Sequence, residues 1–167
     1  SANPDNDIAL RHIALGAAQF TRGEGIWFGE NELYFTCTDG GPARQGQIFR
    51  YIPSPHEGTS AEATEPARLE LFIESPGDET MGMCDNIRIA PWGDLIVAED
   101  GRGEQYIRGV RPAGRLYTLA RNAFTENSRY SEFCGPCFSP DGTILFVNVQ
   151  SEPSRTFAVR GPWHELG

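Results

Sequence analysis

The chain has 167 residues, 39% of them hydrophobic, which suits one globular domain or part of a larger one. Its 19 Gly and 12 Pro make up about one residue in five, which excludes a long coiled coil and disfavours a helix bundle. The net charge is −9 and all 14 basic residues are Arg, so the surface repels nucleic-acid phosphates and no nucleic acid is expected as a partner.

Short runs of β-branched and aromatic residues, each bounded by Gly, Pro, Asn or Asp, predict an all-β chain. No stretch carries a sustained apolar stripe of helical period. The runs fall into three groups of four, four and three strands. They cover residues 26–28, 33–37, 48–52 and 69–73, then 87–90, 95–98, 106–110 and 116–120, and finally 137–138, 144–149 and 156–159.

The three groups are copies of one unit. Residues 93–101 and 142–150 align without a gap, and residues 31–39 fit the same frame after a longer interval. That interval is longer because the polar, Pro-rich segment 53–68 is predicted to be an exposed loop between two strands. Four-stranded units repeating every 40–60 residues or so are typical of a β-propeller, with a plain antiparallel sandwich as the alternative.

We therefore predict a single partial β-propeller domain over residues 1–167, with blades at about 20–75, 83–122 and 131–163. Propellers close with roughly 4–8 blades, so three blades leave sheet edges and apolar faces open. We expect a fragment, a chain that docks on another, or an assembly that closes by symmetry. The chain begins at Ser1 without a signal-peptide pattern, which we interpret as processing or truncation. No apolar run is long enough to span a membrane.

The tetrapeptide Cys134-Gly135-Pro136-Cys137 has the spacing of a thioredoxin active site. In thioredoxins the first cysteine caps a helix, but here Pro140 follows within three residues, so no helix can start. A structural thiol pair or a disulfide is the leading interpretation, with a metal ligand pair and a dithiol oxidoreductase as alternatives. The four cysteines leave the compartment open.

Acidic residues stand at equivalent places in the units. Glu24 lies just before the first strand of unit one, Asp85 and Asn86 lie at the same edge of unit two, and Glu132 precedes unit three. In a propeller these positions point toward one end of the central channel, while Glu99 ends the second strand of unit two. Converging oxygen ligands suit Ca²⁺, and also iron or Mn²⁺. The alternative is that these residues are turn formers and solvated charges.

Five stretches resemble the C-terminal part of the PhoX-type alkaline phosphatases, the family also known by its DUF839 domain. They appear in the expected order, and the ending TFAVRGPW is the most specific of them. The matching stretches are residues 22–41, 46–51, 85–101, 131–150 and 156–163.

The resemblance implies a six-bladed propeller in the periplasm or outside the cell that hydrolyses phosphate monoesters at a cluster of Ca²⁺ and Fe³⁺. By motif, Glu24 and Glu99 match acidic positions of that cluster, and Asp85, Asn86 and Glu132 are further expected ligands. The N-terminal half of such proteins supplies more ligands, including a metal-bound cysteine. The Cys-Gly-Pro-Cys stretch departs from the small apolar residues expected at its position.

The leading hypothesis is thus the C-terminal portion of a PhoX-like metal-dependent phosphatase acting on phosphate monoesters. Its ring would be closed by another chain or by the missing N-terminal half. The alternative is a catalytically inactive, propeller-derived binding or accessory subunit of a larger assembly. A Cys-Gly-Pro-Cys oxidoreductase is the third hypothesis.

Overall fold

The computed structural model describes residues 7–77, 79–126 and 129–166, and its main elements are three antiparallel sheets of three or four strands. Each sheet is a meander in which consecutive strands pair, and we call the sheets blades one, two and three. Blade one contains β1 (Gly23–Phe28), β2 (Leu33–Cys37), β3 (Gln47–Ile52) and β4 (Arg68–Glu74). Blade two contains β5 (Cys84–Ile89), β6 (Leu95–Glu99), β7 (Tyr106–Val110) and β8 (Leu116–Arg121).

A short two-stranded ladder, β9 (Thr125–Glu126) with β10 (Arg129–Tyr130), precedes blade three. Blade three contains β11 (Phe133–Phe138), β12 (Ile144–Val149) and β13 (Arg155–Arg160). The predicted all-β class and the pattern of four, four and three strands are confirmed, and the sheets are consistent with propeller-like blades that do not close a ring. The domain boundaries stay a prediction.

One helix, α1 (Ile8–Ala14), was not expected, and none of its residues is buried. The polar segment between β3 and β4 is a loop, as predicted, with a 3₁₀ turn over Ser60–Thr64. A second 3₁₀ turn, Trp163–Glu165, follows β13. Among the described residues no helix is long and apolar enough to cross a membrane.

The blades pack face to face through two apolar cores. The core between blades one and two centres on residues such as Ile48, Ile87 and Val97, and that between blades two and three on Ile96, Phe133 and Val147. Both faces of β6 are therefore buried, which explains why all five of its residues are inaccessible. Blade two is the middle layer of the stack.

The first strand of every blade carries a β-bulge at the same place. The register shifts between Gly23 and Ile26 in β1, between Cys84 and Ile87 in β5, and between Cys134 and Cys137 in β11. After each bulge, strand pairing resumes at Phe35 in β2, Val97 in β6 and Phe146 in β12. These three residues are aligned in the sequence repeat, so the structure confirms that alignment. These strands begin three or four residues earlier than predicted because each bulge adds polar or turn-forming residues to the strand.

Close backbone contacts fix the bulges against one another. The Thr36 hydroxyl accepts the Gly25 N–H at 2.8 Å and donates to the Asp85 carbonyl at 2.7 Å, which joins blades one and two. The Asn86 Oδ1 accepts the Gly135 N–H at 2.6 Å, which joins blades two and three. A Cβ on Gly25 would overlap the Asp85 carbonyl oxygen and lie 2.8 Å from the Ile87 nitrogen.

Gly25→Ala is therefore expected to lower the free energy of unfolding by about 1–3 kcal/mol, the usual cost of forcing extra atoms into a packed contact. Gly23→Ala is the matched control, because it lies in the same strand with nothing within 4 Å of the added carbon. Urea unfolding of both variants measures the difference. Equal midpoints for the two variants would contradict the close inter-blade contact.

Candidate functional site

Acidic side chains gather where the bulged ends of β1, β5 and β11 lie side by side. Glu24 and Asp85 stand in the bulges of β1 and β5, Asp100 follows β6, and Glu132 precedes β11. We call these four residues the acidic cluster. They come from all three blades, and the bulges place Glu24 and Asp85 within the strands rather than just before them.

Burial and the charge of neighbouring acids raise the pKa values of Asp85 and Glu132. Burial raises the pKa of Asp85, and the charges of Glu24 and Asp100 raise it further, although Arg22 opposes them. Burial and then a hydrogen bond and charge repulsion from Asp100 raise the pKa of Glu132 to about 8. Glu132 therefore holds a proton at neutral pH while the cluster contains no cation.

Asp100 has a pKa below its usual value. Burial alone would raise its pKa, but the hydrogen bond from Glu132 and the contact with Arg22 outweigh burial and lower it. The Arg22 Nη2 lies 2.9 Å from the Asp100 Oδ2 and 3.4 Å from the Glu24 Oε1. Asp100 thus accepts hydrogen bonds from both sides, as a carboxylate does when its charge is stabilised.

Arg22 supplies the positive charge of this region. Its backbone adopts a left-handed conformation with φ of 43°, which is uncommon for a residue with a side chain, and its carbonyl accepts the Thr38 N–H at 2.9 Å. The Arg22 side chain is 40% exposed. Spare guanidinium N–H groups beside solvent can bind an anion such as a phosphoryl group.

Glu99 lies apart from the cluster. Its side chain is 2% exposed, and its Oε1 accepts hydrogen bonds from the Arg108 Nε at 2.7 Å and from the Gly82 N–H at 2.9 Å. Burial raises its pKa and Arg108 opposes that effect. Asp100, the next residue, joins the cluster because neighbouring residues in extended backbone point to opposite sides. The role of Glu99 as a metal ligand stays a prediction, and its contacts are those of a buried ion pair.

Asn86 also has its side-chain oxygen engaged. The Oδ1 accepts the Gly135 N–H, and the Nδ2 donates to the Asp85 Oδ1 at 3.3 Å. The second of these contacts orients the Asp85 carboxylate. In this structure Asn86 positions a neighbouring carboxylate and braces blade three.

The oxygens of the acidic cluster fit a hard divalent cation in chemistry and charge. Carboxylates are the ligands that Ca²⁺ prefers, and a bound cation relieves the repulsion that raises the pKa values of Asp85 and Glu132. Across residues 7–77, 79–126 and 129–166, no three His, Cys, Asp or Glu side chains stand close enough to hold one ion.

The Cys-Gly-Pro-Cys stretch forms the bulge of β11, so no helix begins there, as the sequence predicted. Gly135 takes the positive φ of 59° that this bulge requires. Burial raises the pKa of the Cys134 thiol, and Glu132 and Asp85 raise it further. A dithiol oxidoreductase needs a lowered thiol pKa, so this environment disfavours that hypothesis.

Glu99→Gln is expected to lower the free energy of unfolding by about 3 kcal/mol, because it leaves the buried Arg108 without its counter-charge. Glu104→Gln is the control: Glu104 pairs with Arg121 at 2.7 Å on the surface, so its loss should move the unfolding midpoint little. Denaturant unfolding compares the two. Equal, small effects would show that the Glu99–Arg108 pair is not a structural support.

The comparisons with known proteins point to one family. The family model described as alkaline phosphatase PhoX matches residues 4–153, which is most of the chain. No curated protein and no solved structure matches. The chain belongs to the PhoX alkaline phosphatase family.

Proposed function

We propose that this chain is the C-terminal part of a metal-dependent phosphatase that hydrolyses phosphate monoesters at the acidic cluster. The observation that carries the proposal is the gathering of Asp85, Asp100 and Glu132 from two neighbouring blades at one end of the first strands, with the pKa values of Asp85 and Glu132 raised. Groups with strongly shifted pKa values occur more often at functional sites than elsewhere in proteins. Family membership supports the phosphatase activity, and Ca²⁺ and Fe³⁺ are the proposed ions.

In this proposal the residues of the site have three different roles: cation binding, phosphate binding and orientation of a ligand. Asp85, Asp100 and Glu132, with Glu24 at the rim, supply carboxylate oxygens that hold cations. Arg22 faces the phosphoryl oxygens with its free N–H groups, and Asn86 orients Asp85. Bound cations neutralise the charge of the ester and stabilise the charge that develops during phosphoryl transfer. Glu99 and Asn86 as direct ligands stay predictions.

Completion of the site requires further sheet structure. The face of blade one that points away from blade two exposes large apolar side chains, including Phe28 at 71%, Ile26 at 57% and Leu71 at 51%. Contiguous apolar surface of this kind marks an interface. We propose that another chain or an N-terminal half covers it, closes the ring and adds the missing ligands. A periplasmic or secreted location is proposed from the family.

A second candidate function is that of a catalytically inactive accessory subunit. The observation in its favour is that no three potential ligands within the described parts of the chain converge on one point. This candidate predicts docking through blade one without any metal-dependent hydrolysis.

Hydrolysis of p-nitrophenyl phosphate by the complete protein tests the two candidates. The phosphatase proposal predicts that chelation abolishes phosphate release, that Ca²⁺ with Fe³⁺ restores it, and that Asp100→Asn lowers kcat by about 10²-fold or more. Glu30→Gln is the control, since Glu30 is an exposed acid in the turn at the far end of β1. Absence of hydrolysis by the metal-loaded complete protein would favour the accessory subunit. Unchanged activity in the chelated protein or in Asp100→Asn would contradict hydrolysis at the acidic cluster.

The raised pKa of Glu132 gives a second, pH-dependent test. Glu132 titrates near 4.5 in the unfolded chain and at about 8 in the folded protein, so between those values only the folded state keeps the proton. The contribution of the Glu132 proton to the free energy of unfolding is therefore fully present below the unfolded pKa, and it is lost as the pH rises through the folded pKa. Without metal, the melting temperature is expected to fall from about pH 5 to pH 8.

Glu132→Gln is expected to flatten that decline, and Ca²⁺ is expected to raise the melting temperature of the unmodified protein more at the higher pH. Glu30→Gln serves again as the control, with the same slope as the unmodified protein. Scanning calorimetry across the pH series provides the measurement. Parallel slopes for Glu132→Gln and the unmodified protein would contradict the assignment.

A further inference from the structure

The bulge of β11 places two cysteines on the same side of the strand. Cys134 pairs with Asn148 of β12, and Cys137 pairs with Phe146. Directly paired residues of antiparallel strands point to the same side of a sheet, and Asn148 and Phe146 share a side because they are two residues apart. In a strand without a bulge, residues three positions apart point to opposite sides. Because of the bulge, Cys134 and Cys137 both project from one side of blade three.

This side of β11 is not the side that packs against blade two. The opposite side carries Phe133, which is buried in the apolar core that blades two and three share. All four cysteines are free thiols in this structure, and Cys37 and Cys84 are buried, whereas Cys134 and Cys137 are partly exposed. Of the four thiols, the two in the bulge are therefore those that a reagent can reach from solvent.

The spacing of the two cysteines along β11 suits a disulfide. Their partners Phe146 and Asn148 are two residues apart on an extended strand, which corresponds to about 6.7 Å between Cα atoms. The bulge fits its extra residue into that span, so the Cα atoms of the two cysteines have about the same separation. Disulfides join Cα atoms that are about 4.4–6.8 Å apart. The bond can therefore form with little movement of the backbone.

The two residues between the cysteines connect the bulge to blade two. Gly135 has a φ of 59°, and its N–H donates to the Asn86 Oδ1 at 2.6 Å. Pro136 is buried, and its ring fixes its own φ. A bond between the two cysteines would close a small ring around Gly135 and Pro136 and hold the Gly135 N–H against Asn86. The Asn86 Nδ2 in turn donates to the Asp85 Oδ1 at 3.3 Å, so the ring would also support that contact.

We propose that Cys134 and Cys137 form a disulfide across the bulge of β11, which braces the link between blades two and three. The oxidant is a small-molecule or protein disulfide that reacts by thiol–disulfide exchange. One cysteine sulfur attacks this disulfide and releases its first thiol, and the second cysteine sulfur then displaces the other thiol from the mixed disulfide. Two electrons and two protons thus pass from the cysteines to the two released thiols. The proposal rests on the register of β11 and β12 and does not depend on the metal site.

Mass spectrometry of the complete protein tests whether the bond forms. The reduced protein is treated with oxidised glutathione, unfolded, alkylated with iodoacetamide and digested with trypsin, which releases residues 130–155 as one peptide with both cysteines. We expect this peptide to be about 2 Da lighter than its reduced form and to carry no alkyl group, because both thiol hydrogens are lost. Cys37 and Cys84 are the internal controls and are expected to be alkylated. Alkylation of both thiols in the peptide, stable glutathione adducts on them, or a disulfide from either one to another cysteine overturns the proposal.

Amide hydrogen exchange tests whether the bond braces the bulge. The Gly135 amide is expected to exchange at least about tenfold more slowly in the oxidised protein than in the reduced protein. Gly142 is the matched control with an unchanged rate, because its N–H donates to the Ser139 carbonyl at 2.8 Å in the same blade but outside the ring. Cys134→Ser combined with Cys137→Ser is expected to abolish the effect of oxidised glutathione on Gly135. Equal rates for Gly135 in the oxidised and reduced protein, or equal slowing at Gly142, overturn the proposal.

Discussion

The structure depends on how closely the first strands of adjacent blades (β1, β5 and β11) approach each other at their bulged ends. Gly25 has no side chain at the point where the backbone of Asp85 passes, and Thr36 bonds to both strands. Asn86 makes the corresponding link to the bulge of blade three. Because the Thr36 and Asn86 side chains join the backbone of one bulge to that of the next, the carboxylates carried by the bulges have little freedom to move apart.

That constraint explains the electrostatics of the site. Like charges in partly buried surroundings favour protonation, and the pKa of Glu132 is raised to about 8 by burial and by Asp100. The positive charge of Arg22 offsets part of the repulsion between these acids. Arg22 has a left-handed backbone conformation, and its carbonyl accepts a hydrogen bond from the Thr38 N–H. The positive φ of Arg22 and the half-buried acids beside it support the proposal that this region binds a ligand.

Much of this fold was predictable from local sequence. The strands of each unit alternate or run apolar between turn residues, and the shared frame of β2, β6 and β12 was visible as an ungapped repeat. The starts of β1, β5 and β11 were placed too late, because a bulge adds residues that interrupt the period of two. Helix α1 was missed because its short apolar run has no buried face.

The candidate site was predictable only in part. The sequence points to Glu24, Asp85 and Glu132 because they stand at equivalent edges of the units, and their role as ligands stays a prediction. The sequence alone does not distinguish Asp100 from its neighbour Glu99 as a member of the cluster. Only the pairing of β6 with its neighbouring strands shows that Glu99 is the one that contacts Arg108. Arg22 stands two residues before Glu24 in the sequence and could have been noted there. Its ion pair with Asp100, however, joins blades one and two and depends on tertiary structure.

The central claim is that these bulges gather carboxylates around a cation. The most direct measurement is anomalous X-ray scattering from crystals of the complete protein soaked in Mn²⁺, which binds the same oxygen ligands as Ca²⁺ and scatters anomalously. The account predicts a peak within about 2.6 Å of carboxylate oxygens of Asp85, Asp100 or Glu132. A peak at Glu99, or no peak at this end of the first strands, would contradict it.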